Sequence, residues 1–497
     1  MPDQRITPLE MTGAEFRILG HQLVNSIANF IDGIKEKPVT TGESPEQIQE
    51  LIGNALLPEE GSDAGELLQK AAGILFDHSL LNGHPKFLGY ITSSATPIGA
   101  LADLLAAAVN PNVGANILSP AATEIEKQTI QWLAQFIGLP ACYGGVLVSG
   151  GNMANFTGFL AARTIKAPKN IKQDGMNMKG DQLLVYCSAT THTWIEKAAV
   201  LFGLGIKAIR WISADDDNRI DCSLLEQTIK TDIQNGYRPI MVIGTAGDVS
   251  TGAVDDLQAI AAICKTYHLW FHVDGAYGIP AAVIPSLQNM FRGIEAADSI
   301  ALDPHKWLYS PLEAGCTLVK DPNHLIETFS SHPVYYNFDH NSEAQSLNFY
   351  EYGLQNSRGF RALKVWLALQ QAGRSGYIKM IGEDIELSKL LFQLAQQHSE
   401  LQAVTQNLSI TTIRYIPTGG LPEAEQRTAY LNALNEALLN QLQQKGDVFL
   451  SNALVKDQYC LRACIVNFRT SEKDIQEIIE LVVDEGRLVH GRMAGKI

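Results

Sequence analysis

Between about residues 94 and 372 the chain alternates short apolar runs with helical stretches, and this alternation restricts its fold more than any other feature. The runs are Val146–Ser149, Leu183–Cys187, Ala208–Ile212, Ile240–Thr245, Leu269–Val273, Ser299–Leu302 and Cys316–Val319. Most are apolar on both faces, as strands are when helices cover them on each side. Helical stretches such as Asp255–His268 lie between them. The pattern predicts βαβ units and an α/β fold with a mostly parallel central sheet flanked by helices. In open sheets of this kind ligands bind beyond the carboxyl ends of the strands, and that is where chemistry should be sought.

The flanking regions read differently. Near the N-terminus Thr12 and Glu15 have capping-box spacing, and Phe16, Leu19, Leu23, Ile27, Phe30 and Ile34 follow at helical intervals up to Pro38. A helix with such a stripe must bury it, against a neighbouring domain or a second subunit. Toward the C-terminus Leu431, Leu434, Leu438 and Leu442 form a helical stripe stopped by Gly446. Strand-like Val448–Leu450 and Leu461–Val466 follow, then a helix with Ile475, Ile478, Ile479 and Val482 on one face. At 497 residues the chain is too long for one core. The expected division is an N-terminal helical segment (1–93), a large domain (94–372) and a small α+β domain (373–497).

Charge narrows the function classes. The chain has 38 Lys+Arg against 53 Asp+Glu, a net charge of −15. Such a balance repels phosphate backbones and anionic lipid, so neither nucleic acid nor a membrane is an expected partner. The longest apolar run, Ile98 to Val109, is broken by Asp103 and is too short to span a bilayer. The start, Met1-Pro2-Asp3-Gln4-Arg5, lacks a signal-peptide core. Seven cysteines, scattered from Cys142 to Cys464 without a CxxC pair, suggest reduced thiols in a cytoplasmic protein rather than disulfides or a metal site.

Two strand ends carry the chemistry. Leu269–Val273 runs into Asp274, in His272-Val273-Asp274-Gly275-Ala276-Tyr277, and Ser299–Leu302 runs into Asp303-Pro304-His305-Lys306-Trp307-Leu308. Alone, Asp274 would read as a turn aspartate and Lys306 as a solvated lysine. Pyridoxal phosphate, however, needs a lysine amine for a Schiff base, a carboxylate against its pyridine nitrogen, and a phosphate cradle of backbone amides at a helix N-terminus. Ser149-Gly150-Gly151-Asn152, between a strand and a helix running to about Ala167, offers the third. His192, in Thr190-Thr191-His192-Thr193, is a candidate to lie flat on the ring, and Thr245, at another strand end, to bond its side.

These strings resemble the group II pyridoxal-phosphate decarboxylases, the family of the aromatic-L-amino-acid, histidine, tyrosine and glutamate enzymes. The likeness extends through His84-Pro85-Lys86-Phe87, Ser119-Pro120-Ala121-Ala122-Thr123-Glu124, Ser149-Gly150-Gly151 and Arg358-Gly359-Phe360-Arg361-Ala362-Leu363-Lys364, covering roughly residues 10 to 485. The resemblance implies the fold type I architecture and a homodimer with its active site at the subunit interface. It implies Lys306 as the Schiff-base lysine, His305 on the phosphate, Asp274 on the pyridine nitrogen and Ala276 against the ring. His192 would stack over the other face and help place the substrate. Gly151 and Asn152 match the phosphate-holding positions, although the family often has Ser where Asn152 stands. Tyr335, in His332-Pro333-Val334-Tyr335-Tyr336, matches a loop tyrosine that acts late in catalysis, with Tyr336 its adjacent rival.

The implied reaction is α-decarboxylation of an L-amino acid to its amine. Tyr90 matches an aromatic pocket residue of the aromatic-specific enzymes, and its neighbours are Ile91, Thr92 and Ser93, while Gly114-Ala115-Asn116-Ile117 has no aromatic residue. Tyr90, Thr92 and His192 are the expected substrate contacts. An aromatic amino acid is the expected substrate. An acidic or diamino acid, or oxidative decarboxylation to an aldehyde, is the alternative. An aminotransferase of the same fold and a catalytically silent relative stay open as other classes.

Overall fold

The seven apolar runs all form strands of one sheet in the computed structural model, which describes residues 7–168, 171–176, 182–331 and 347–495. They are β1 (Gly144–Val148), β2 (Leu183–Ser188), β3 (Ile209–Ile212), β4 (Arg238–Thr245), β5 (Trp270–Asp274), β6 (Ser299–Leu302) and β7 (Gly315–Val319), in the order β1-β7-β6-β5-β4-β2-β3. β6, β5, β4, β2 and β3 are mutually parallel, and β7 runs against both of its neighbours. Every residue of β2, β5, β6 and β7 is buried, which is why these runs carry no polar alternation. The helix Gly151–Lys166 packs across β5, β6 and β7, and Leu257–Tyr267 packs on β4 and β5. The sheet and its helices share one large apolar core.

A second sheet has its own core. It contains β8 (Leu401–Asn407), β9 (Ile410–Tyr415), β10 (Ser451–Val455) and β11 (Gln458–Cys464), all antiparallel, in the order β10-β11-β9-β8. The helices Ala362–Gln397, Ala424–Lys445 and Glu472–Ala494 pack on it, the first broken at Gly373 by a left-handed φ of 62°. Gly446 ends its helix in the left-handed region, as its place after the leucine stripe predicts.

Two strand expectations need correction here. Val448–Leu450 makes only an isolated bridge, Phe449 to Phe87, and the strand begins at Ser451. β10 alternates buried Ser451, Ala453 and Val455 with exposed Asn452 and Leu454, so its apolar density is low although its period is right. Its turn to β11 uses Lys456 and Asp457, both at positive φ, in the hairpin geometry that usually draws Asn-Gly. β11 accordingly covers Gln458–Cys464 rather than Leu461–Val466.

The N-terminal helix Gly13–Gly33 begins as expected: Thr12 Oγ1 accepts from Glu15 N at 3.2 Å and Glu15 Oε2 accepts from Thr12 N at 2.7 Å. It pairs with the helix Ala64–Asp77 through stacked Phe30 and Phe76, yet none of its residues is buried. No helix among the described residues is long and apolar enough to cross a membrane.

Candidate active site

The carboxyl ends of β2, β4, β5 and β6 meet the start of the helix after β1 around a cavity of about 490 Å³. Its walls bring together Tyr90, Thr92, Gly151, Asn152, His192, Thr245, Asp274, Ala276, His305 and Lys306. These are all the candidate site residues except Tyr335, which lies outside the described residues.

Asp274 is the last residue of β5, in register with Thr245 at the end of β4 and Ala301 in β6. Its Oδ2 accepts from Trp194 Nε1 at 2.7 Å, and its Oδ1 from Ala276 N at 3.3 Å. The Thr245 hydroxyl beside it is buried in the cavity wall without a hydrogen-bond partner among the described residues. His192 Nδ1 accepts from Trp194 N at 3.2 Å, so a neutral ring carries its proton on Nε2. Burial pulls the His192 pKa below the ordinary value, against the nearby Asp274 charge, and the neutral ring is favoured.

The other side of the cavity is built for an anion. Gly150 sits at a φ of 154°, and a Cβ there would lie 3.0 Å from His305 Cε1. A Cβ on Gly151 would lie 2.6 Å from Asp303 Oδ2. The helix Gly151–Lys166 has no side-chain cap, so its first N–H groups, at cavity-lining Gly151, Asn152 and Met153, have no partner within the helix. Such a terminus is a ready phosphate cradle. His305 Nδ1 accepts from Ala314 N at 3.0 Å, and burial lowers its pKa. With an orphaned threonine, a seated carboxylate, a lysine and an uncapped helix on one cavity, the residues fit pyridoxal phosphate.

Lys306 Nζ lies 3.1 Å from Asp303 Oδ2. The segment that holds this lysine is pinned from the second sheet's side. Trp307 Nε1 and Tyr309 OH both donate to Asp384 Oδ2, at 2.8 and 2.7 Å, and Trp307 stacks on Tyr277 with centroids 5.0 Å apart. Asp384 is fully enclosed, and burial pushes its pKa up to about 7. Tyr90 and Thr92 arrive on a strap: Leu88 N donates to Phe449 O, Cys464 N to Leu88 O, and Arg462 Nη2 to Tyr90 O.

Sequence reasoning missed three residues at this site: Trp194, Asp303 and Arg462. Asp303 is buried with no hydrogen-bond partner among the described residues on either oxygen, while Lys306 Nζ lies 3.1 Å and His305 Nε2 3.7 Å from its Oδ2. Arg462, 3% exposed on β11, donates to Ser451 Oγ at 2.7 Å and lines the cavity, its buried Nε without a partner among the described residues. An arginine inside the apolar run Cys460-Leu461-Arg462-Ala463-Cys464 was the available signal.

Known proteins share both the sequence and the fold of this chain. Residues 45–415 match the pyridoxal-dependent decarboxylase conserved domain. The chain is 33% identical over 472 residues to an aromatic-L-amino-acid decarboxylase of Bacillus atrophaeus, covering 95% of each. It is 28% identical to a phenylacetaldehyde synthase of a Rosa hybrid cultivar, over 98% of this chain and 97% of the relative. The crystal structure of Catharanthus roseus tryptophan decarboxylase in complex with L-tryptophan superposes with a TM-score of 0.87 at 26% identity, covering 97% of this chain and all of that one.

Proposed function

Because the chain belongs to the pyridoxal-dependent decarboxylase family, a family of pyridoxal-phosphate lyases, we propose that it removes the α-carboxylate of an aromatic L-amino acid, yielding the amine and carbon dioxide. The observation that carries this reading is the convergence of Lys306, Asp274 and the N-terminus of Gly151–Lys166 on one cavity. The names of the relatives, with aromatic substrates prominent among them, support the substrate class.

Pyridoxal phosphate supplies an electron sink conjugated to the substrate nitrogen. Lys306 is the amine that would attach it. Asp274 would pair with the ring nitrogen and favour its protonated form, Thr245 would bond the ring side, and Ala276 and His192 would pack against the ring. Gly151, Asn152 and His305 would hold the phosphate. His192, neutral with Nε2–H, donates toward the substrate. Decarboxylation would require the pocket to fix the substrate's α-carboxylate in one orientation, away from water. Tyr90 and Thr92 line the substrate's side of the cavity. Tyr335 returns the proton to Cα.

Three further readings belong to this proposal. The chain divides into residues 1–93, 94–372 and 373–497. It works as a homodimer with the active site at the subunit interface. Support comes from the N-terminal helix, which exposes Phe16 and Ile18, and from exposed Leu101, Leu104, Leu105 and Val109 on the helix Pro97–Val109. It resides in the cytoplasm, which suits seven cysteines all left as free thiols.

Arg462 favours a second reading, an acidic substrate whose distal carboxylate pairs with the guanidinium. A screen of the twenty amino acids and common non-protein ones, scored for amine product, decides between them. Preference for tyrosine, tryptophan, phenylalanine or their hydroxylated forms supports the aromatic reading, and preference for an acidic or diamino acid overturns it.

A further inference from the structure

We propose that Trp194 is a positioning residue for the cofactor ring, acting through Asp274. The proposal rests on the assignment of Asp274 to the ring nitrogen.

Trp194 opens the helix Trp194–Leu201, two residues after His192. Its indole is 1% exposed and meets Phe159 and His272 edge-on, with centroids 6.3 and 5.9 Å apart. That packing uses the ring and not its nitrogen. The nitrogen faces Asp274 Oδ2 at 2.7 Å, across 80 residues of chain. An indole N–H can only donate, so the direction of this bond is fixed. The other restraint on the carboxylate, from Ala276 N to Oδ1, is longer at 3.3 Å. Trp194 is therefore the tighter of the two holds on the carboxylate plane.

The same residue also addresses the histidine. Its backbone N–H donates to His192 Nδ1 at 3.2 Å, which leaves the proton of the neutral imidazole on Nε2. One residue thus seats the carboxylate at the ring's edge and selects the tautomer of the group over the ring's face. Orientation by such supporting contacts is how a binding constellation is held to within a fraction of an ångström. A competing role is that of a core filler whose N–H merely needed a partner.

The test uses full-length enzyme, with Trp194→Phe, Trp194→His, Asp274→Asn and the double variant Trp194→Phe/Asp274→Asn. Each apoprotein is titrated with pyridoxal phosphate for its Kd, and circular dichroism of the bound cofactor's visible band reports its orientation. Phe keeps an aromatic ring and loses the N–H; His is smaller but places an N–H donor where the indole has one. Trp194→Phe should weaken cofactor binding about tenfold, the scale of a hydrogen bond to a charged group, and diminish the dichroic band. Asp274→Asn should weaken binding more, and in that background Trp194→Phe should cost less than it does in wild type, because an amide oxygen accepts the indole N–H more weakly than a carboxylate. Trp194→His should bind better than Trp194→Phe, although a filler role ranks it worse. Wild-type affinity and dichroism in Trp194→Phe, losses that multiply in the double variant, or His ranking below Phe would each overturn the proposal. If Asp274→Asn itself binds like wild type, the Asp274 assignment fails and takes this inference with it. If Asp274→Asn is weakened but Trp194→Phe is not, Trp194 alone is wrongly assigned.

Discussion

A carboxylate against the pyridine nitrogen acts by charge, and so its removal should be costly. Asp274→Asn should lower kcat by several kcal/mol of lost transition-state stabilisation, the scale of losing a preorganised electrostatic partner. A loss under roughly tenfold, about 1.4 kcal/mol, would mean that Asp274 is not the ring partner. Lys306→Ala should abolish both turnover and the visible absorbance of the lysine-bound cofactor, and full activity would contradict its assignment. Asp384 gives a prediction in pH. Burial raises its pKa to about 7, against an unfolded value near 3.9. The folded protein thus binds the extra proton, and this group's contribution to stability falls as pH rises from about 4 to about 7. Asp384→Asn has no such charge to bury. The Tm of wild type minus that of Asp384→Asn should therefore fall from pH 5 to pH 8, and a constant or rising difference would contradict the assignment. Lys306 and Asp274 were legible in the sequence because each stands at a strand end, where position alone gives meaning. Trp194 and Arg462 were not, because their significance comes from partners 80 and 372 residues away.

Among the elements, the helix Gly151–Lys166 gives the sharpest test. Gly151→Ala places a methyl 2.6 Å from Asp303 Oδ2 and 3.3 Å from Ala276 Cβ, in the turn proposed to present backbone amides to the phosphate. Cofactor affinity should fall at least about tenfold, by loss of charge-assisted hydrogen bonds, as measured by titration of the apoprotein. Wild-type affinity would show that the cradle lies elsewhere. The segment containing Tyr335 is tested by product. Without its hydroxyl, proton return to Cα slows and oxygen competes, so Tyr335→Phe should convert amino acid, oxygen and water to aldehyde, carbon dioxide, ammonia and peroxide. Only amine at the normal rate would remove Tyr335 from that role, and aldehyde from Tyr336→Phe instead would pass the role to its neighbour. The central strands were readable because burial on both faces writes itself as an apolar run. β8 was not, since Gln402, Thr405, Gln406 and Asn407 form a half-exposed edge whose polar residues hide the strand, and β9 was not, since its buried Thr411, Thr412 and Arg414 interrupt the apolar run.

At the scale of the whole molecule, the N-terminal helix Gly13–Gly33 has no buried residue, and the proposed homodimer is what would cover it. Light scattering should give twice the chain mass of 54.3 kDa, and Leu104→Asp with Leu105→Asp should yield monomer and lose activity together. A fully active monomer would contradict an interfacial active site. The proposed reaction is defined by which bond at Cα breaks. The most direct measurement supplies the holoenzyme with an α-deuterated aromatic L-amino acid in ordinary water, without any keto acid, and follows carbon dioxide and the deuterium content of the amine. The account predicts one carbon dioxide per amine, with the original deuterium kept and one solvent proton added. Loss of the deuterium, or turnover that requires a keto acid and releases no carbon dioxide, would contradict it.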